Sequence, residues 1–285
     1  WGDYSDLKGG GCMLDLTILT DNNTIIDRYY LGEPGLSFWL ECGGKKFLFD
    51  TGYSDVFIRN AALMGIDLTR MDGLIYSHGH NDHTWGTHSL VALFDRLAVE
   101  RRPLLVAHPL AFENKVHGRL TIGVMMGAEA LGNYFELALS AEPRELAPRL
   151  WWLGEIPAAV TPRRAVGKIK DSRGERDDYC LDDSALAYAG EDGLVIITGC
   201  SHSGICNIIE RARDVTGERR VADVVGGFHL LSCSGGEMAE ISAYMKMAGV
   251  TRLHPCHCTD FAAKAALARD FSVAEGGVGL RLNYR

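Results

Sequence analysis

Ser77-His78-Gly79-His80-Asn81-Asp82-His83 places three imidazoles and a carboxylate within one short stretch. It follows the apolar run Gly73-Leu74-Ile75-Tyr76 and precedes Thr84-Trp85-Gly86, so it reads as a buried strand passing into a loop. His78 and His80 are two apart, and alternate side chains of an extended backbone share one side, so both can meet a single ion. Asp82 and His83 are adjacent and diverge, which suits them to a second ion nearby. Nitrogen and oxygen donors of this kind fit zinc, iron or manganese.

Three later histidines, His202, His229 and His257, also stand where a strand turns into a loop, each beside a glycine, a cysteine or both. Open α/β sheets gather ligands at such positions. A closed structural zinc site needs only four ligands. The seven donors His78, His80, Asp82, His83, His202, His229 and His257 exceed that number and point to catalysis with solvent positions left open.

These residues must be carried by strands. Residues 13–19 and 36–42 and Lys45-Lys46-Phe47-Leu48-Phe49 are short apolar runs, with Gly43-Gly44 as a hairpin signal between two of them. Ser54 caps an expected helix ending at Leu63, and residues 88–97 have helical spacing. Residues 103–107, 184–189, 194–198, 221–225, 253–258 and 278–282 read as strands; 205–214, 237–247 and 261–271 read as helices. This is an α/β alternation. Residues 109–180 are expected to form an insertion or lid near the site, with a helix over 128–139 and a charged loop over 163–178. The whole chain, 1–285, is expected to be one domain around that insertion.

Composition narrows the partners. A hydrophobic fraction of 47% and a charged fraction of 23% are those of a soluble globular protein. The formal charge of −8, without a basic run, gives a nucleic acid little electrostatic help, so a small-molecule partner is expected. No apolar stretch is long enough for a membrane span, and Trp1-Gly2-Asp3-Tyr4 does not read as a signal sequence. The eight cysteines, several beside histidines, read as reduced thiols, and the expected location is the cytoplasm.

The order Asp50-Thr51-Gly52, His78-x-His80-x-Asp82-His83, His202, His257 resembles the metallo-β-lactamase superfamily. LGEPGLS (31–37), CSHSGICN (200–207), GGFHL (226–230) and HCT (257–259) are similar to its branch named for 7,8-dihydropterin-6-methyl-4-(β-D-ribofuranosyl)aminobenzene-5′-phosphate synthase. The resemblance implies a four-layer αββα sandwich holding one or two divalent transition-metal ions, zinc foremost, with iron or manganese as options. It implies one ion on His78, His80 and His202, and a second on Asp82, His83 and His257. Asp82 is then catalytic, and Asp50 either orients a ligand imidazole or caps its turn.

It further implies hydrolysis or transfer on a small phosphorylated or pterin-type metabolite through metal-bound water. A phosphodiesterase or nuclease, and a non-catalytic metal-containing sensor, are the alternatives. His229 occupies the slot where the superfamily commonly has a metal-bridging Asp. It is left to bind one ion or to hydrogen-bond substrate. Ser203 and Gly204, at a helix start, offer N–H groups to a substrate phosphate or simply cap the helix. Trp85 and Phe228 either line a pocket for a flat ring or pack. Cys256 and Cys258 read as core.

Overall fold

The computed structural model describes residues 13–285; Cys12 and the N-terminal tetrapeptide considered above lie outside the described residues. Strict alternation of side chains along the strands builds two back-to-back sheets. In adjacent strands, Leu186, Tyr188, Val195 and Ile197 point to one core, while Ala185, Ala187, Leu194 and Ile196 point to another. The first core lies between the sheets, where Leu14, Leu16, Ile18, Phe38, Leu40, Phe47 and Phe49 meet Trp152, Leu186 and Tyr188.

The outer faces are covered by helices. Val56–Leu63 and Gly86–Arg96 bury Phe57, Leu90 and Phe94 against Trp39, Leu48 and Leu74 of the first sheet. Ile205–Thr216, Gly235–Met247 and Phe261–Leu267 cover the second sheet through Ile208, Ile209, Met245 and Leu267. The result is the expected four-layer αββα sandwich.

Each large sheet has seven strands. The first runs Arg281–Tyr284, Leu14–Thr20, Ser37–Cys42, Lys45–Phe49, Gly73–Ile75, Leu104–Ala107, Glu136–Leu139. The second runs Ser272–Val273, Arg252–Cys256, Val221–Gly227, Gly193–Thr198, Ala185–Gly190, Leu150–Trp152, Arg144–Ala147. Each is antiparallel in one half and parallel in the other. Asp50, His78, His202, His229 and His257 all follow the C-terminal ends of parallel-paired strands, so the two parallel halves meet at one edge.

Residues 109–180 are not one excursion. Their middle supplies three strands to the large sheets, Glu136–Leu139, Arg144–Ala147 and Leu150–Trp152. The expected helix over 128–139 stops after Ala128–Leu131, capped by Gly132, and the rest becomes strand. The charged segment 163–178 holds a hairpin, Lys168–Asp171 with Gly174–Asp177, rather than a bare loop. This hairpin joins Lys115–His117 and Leu120–Thr121 in a separate four-stranded sheet.

One buried cation ties that small sheet to the sandwich. Lys115 is fully buried, and its Nζ donates to Asp178 Oδ2 at 2.8 Å and Asp182 Oδ1 at 2.7 Å. The other oxygen of Asp182 accepts the Gly79 N–H at 2.8 Å, between the two leading histidines. Breaking a buried ion pair leaves charge stranded away from water. Lys115→Met should therefore cost about 3–5 kcal/mol in denaturant unfolding, and adding Asp182→Asn should recover part of it. A single variant within about 1 kcal/mol of the parent, the worth of an exposed pair, would remove the buried pair from this role.

Candidate metal centre

Three imidazoles converge at the end of the first parallel half. His78 Nε2 lies 3.0 Å from His80 Nδ1, which lies 3.0 Å from His202 Nε2. All three rings are buried. Ser77 fixes the tautomer of His78. Its hydroxyl donates to Asp50 Oδ2 at 2.6 Å, so at 2.9 Å it accepts from His78 Nδ1–H and leaves Nε2 bare.

A proton on one ring can satisfy only one of these close nitrogen pairs, whereas a cation can satisfy all three nitrogens. Tetrahedral zinc bonds of about 2.0–2.1 Å set ligand nitrogens roughly 3.3–3.4 Å apart, within a few tenths of an ångström of the observed spacing. Burial, then the neighbouring imidazoles, push His78 and His202 well below the ordinary histidine value. Burial also takes His80 down to about 4 despite Asp182. At neutral pH the three rings are uncharged donors.

A second group adjoins the first. His83 Nε2 is 3.2 Å from His257 Nε2, 3.2 Å from Cys200 Sγ and 3.8 Å from Asp82 Oδ2, and Asp82 Oδ2 is 3.3 Å from His257 Nε2. The outer ring nitrogens are held. His83 Nδ1 donates to Asp50 Oδ2 at 2.7 Å, and His257 Nδ1 to Asn22 Oδ1 at 2.8 Å. Both Nε2 atoms therefore face inward, as ligand histidines do. Burial opposes charge on both partners here. Even so, His83 and His257 hold Asp82 below the usual carboxylate range, and Asp82 with Asp50 holds His83 up at about 9.

The backbone is shaped around these donors. Asp50, Ser201, His229 and His257 have φ of 59°, 63°, 50° and 49°, a left-handed conformation that costs non-glycine residues about 1–3 kcal/mol each. At Gly79 a Cβ would sit 2.0 Å from Ala111 O, and at Gly199 one would sit 2.1 Å from Ser77 Oγ. The two donor-bearing loops pack too closely for any side chain there.

Other expected site residues fall elsewhere. Ser203 N–H already donates to Asp183 Oδ2 at 2.8 Å, and Gly204 N–H to Ser201 O. The expected phosphate seat is thus filled by a carboxylate of the chain itself, which burial raises to about 6. Phe228 is 1% exposed and packs under the outer helices, so it lines no pocket. Trp85 stays half-buried, stacked on Tyr53 at 5.0 Å between centroids, with Nε1–H donating to Gly123 O. His229 lies 4.3 Å from His202 ring to ring and groups with Cys200 and His202. Its buried Nδ1 has no hydrogen-bond partner.

Asp223 is sequestered by Arg252, His254 and Tyr284, and Asp214 is largely exposed beside Arg219. His108 caps its own turn. Cys180, Cys200, Cys206, Cys233, Cys256 and Cys258 are free thiols. Cys256 lies in the core between the sheets, and Cys258 is buried behind Cys200. Sequence reasoning passed over Cys200, Asn22, Lys115 and Asp183. Only Cys200, two residues before His202, carried a local signal.

A sandwich of this order, with histidine and carboxylate donors that could hold a metal ion at the shared edge of its sheets, defines an αββα protein of the metallo-hydrolase type. The chain belongs to the metallo-β-lactamase superfamily, whose family model matches residues 31–210, more than half of its length. It is 29% identical over 261 residues to the 7,8-dihydropterin-6-methyl-4-(β-D-ribofuranosyl)-aminobenzene-5′-phosphate synthase of Methanocaldococcus jannaschii, covering 85% of this chain and 86% of that protein. An uncharacterized protein of the same organism is 28% identical, covering 93% and 98%. The crystal structure of a metal-dependent hydrolase of the β-lactamase superfamily superposes with a TM-score of 0.80 at 30% identity, covering 94% and 98%. The Bacillus subtilis fold protein YhfI, at 13% identity and TM-score 0.57 over 96% and 100%, shares the fold.

The charge states predict how ions enter. At pH 7, zinc entering the His78–His80–His202 group should displace no proton from those three rings, which are already neutral. Entry beside His83 should release at least one, and its affinity should climb with pH up to about 9. Calorimetric titration in buffers of different ionisation heat, repeated on His257→Ala, measures both; equal proton release at the two sites would contradict this charge pattern.

Proposed function

We propose that this protein is a metal-dependent enzyme acting on a small phosphorylated or pterin-type metabolite, by hydrolysis or by transfer as the name of its methanogen relative implies. One observation carries the reading. Two donor groups, His78–His80–His202 and Asp82–His83–Cys200–His257, lie side by side with their outer nitrogens tied down and their inner atoms converging. A single structural ion would leave one of these groups without purpose. A divalent ion in such a place supplies Lewis acidity and lowers the pKa of a water it holds.

The chain's own residues supply the rest. Asp50 holds both His83 and, through Ser77, His78, so one carboxylate sets the tautomers on both sides of the centre. Asn22 does the same for His257, whose N–H is also held by Asp21 Oδ1 at 2.7 Å. His229, whose buried Nδ1 has no partner within the chain, would hydrogen-bond or exchange a proton with substrate. The Tyr53–Trp85 stack, with Tyr53 40% exposed, stands next to Asp82–His83 and suits a flat heterocycle.

The acidic chain, without a basic run, continues to favour a small molecule over nucleic acid. Among the described residues no helix is long and apolar enough to cross a membrane. We keep the cytoplasm as the proposed location and zinc as the foremost metal. Asp50→Ala, which frees two ligand rings at once, should lower metal affinity or turnover about 10–100-fold. The assay offers a 7,8-dihydropterin bearing a leaving group on its 6-methyl carbon, which the amine of a β-D-ribofuranosylaminobenzene 5′-phosphate displaces, alongside a generic phosphodiester. Metal content is followed in the parent, Asp50→Ala and His78→Ala. A parent that binds less than about one tenth of an equivalent, far short of the ligand count, and turns over neither substrate after reconstitution would end this proposal.

A further inference from the structure

Between His202 and His257, Asp223 is held by Arg252, His254 and Tyr284, and Asp214 faces solvent beside Arg219, so neither serves the two donor groups. His229 stands where the bridging carboxylate was expected, and a neutral imidazole that uses one nitrogen for one ion cannot link two. A donor from the chain that serves both groups has to be another residue.

Cys200 has the required position. Its Sγ lies 3.2 Å from His83 Nε2 and belongs to the donor group of Asp82, His83 and His257. It also belongs to a second group, with His202 and His229, whose donor atoms all lie within 4.8 Å of one another. His202 is in turn a member of the three-histidine group. Among the described residues, Cys200 is the donor common to the His83–His257 side and the His202 side.

Its neighbourhood holds it there. Cys200 follows Gly199, which packs against Ser77, and its own carbonyl accepts from Cys258 Sγ–H at 3.4 Å. Cys258 Sγ itself accepts the His229 N–H at 3.2 Å and belongs to none of the donor groups. The nearby buried Cys258 sulfur is thus engaged by the backbone and by the Cys200 thiol, and Cys200 Sγ is the one that lies beside the donors.

We infer that the Cys200 thiolate is the ligand shared by the two ions, taking the place of a bridging carboxylate. This rests on the two-ion reading above. Paired catalytic ions stand about 3.5–4 Å apart, a span one sulfur can close with zinc–sulfur bonds of about 2.3 Å. On binding, sulfur forms its bonds to the ions and the thiol proton passes to solvent. The soft donor favours zinc or cobalt over manganese, which prefers oxygen.

Cobalt(II) loaded into the full-length chain is the probe, because thiolate bound to cobalt gives a charge-transfer absorption in the near ultraviolet that imidazole and carboxylate do not. The wild type should bind two equivalents and show this band. Cys200→Ser should lose the band together with one equivalent, while Cys258→Ser keeps both. Cys200→Asp, which restores a bridging carboxylate, should regain the second equivalent without the band and hold manganese better against zinc. That variant also carries the comparison if the serine variant does not fold. Two equivalents without a band in the wild type, a band that survives Cys200→Ser, or one lost in Cys258→Ser would overturn the assignment of Cys200 alone. Failure to take up cobalt at all would overturn the two-ion reading with it.

Discussion

The carboxylate of Asp50 is the constraint on which the site depends. Fully buried at the end of Lys45–Phe49, it accepts from Ser77 N–H at 2.7 Å, from the Ser77 hydroxyl and from His83 Nδ1–H. Those three bonds hold the beginning and the end of the His78–His83 loop to a neighbouring strand. A buried carboxylate with so many charge-assisted donors is both costly to break and geometrically specific. Without it, His78 and His83 could take either tautomer, and the two donor groups would lose their common orientation. Its left-handed backbone shows that the fold accepts local strain to place this carboxylate.

A second layer of support comes from outside the large sheets. Asp182 spans from Lys115, in the small sheet, to the Gly79 N–H between His78 and His80. Burial of Lys115 with two carboxylates is an expensive arrangement, since all three groups give up water. Asp183, the next residue, turns to the start of helix Ile205–Thr216 and occupies the N–H of Ser203. Two adjacent aspartates thus brace the loops that carry His80 and His202, one on each large sheet.

What the sequence disclosed follows from locality. The spacing of His78, His80, Asp82 and His83 is a property of one loop, and strand alternation is a property of short windows, so both were legible. Asn22 and His257 are 235 residues apart and their pairing has no local sign. Cys200 was passed over because a cysteine at a strand end reads as a small apolar residue. The helix expected over 128–139 failed because Gly132 and Asn133 end it after one turn, and the following Glu136–Leu139 finds an open edge beside Leu104–Ala107. Pairing across the sheet decided that segment, and its own periodicity did not. Phe228 was left between a pocket and packing from its neighbours in sequence, and its side chain packs on the helix-covered face.

The two donor groups draw on both sheets, and this bears on how the protein reaches its native state. His83 and His257 are 174 residues apart, His80 and His202 are 122 apart, yet each pair ends within 3.2 Å. Contacts of such separation carry a large loop-closure cost and belong to slow folding. A half-folded chain can offer only the cluster around His78 to His83, which belongs to the first sheet alone. Full coordination therefore coincides with docking of the sheets. An ion held by donors from both sheets would add to the barrier against their separation and so clasp a slowly assembled molecule.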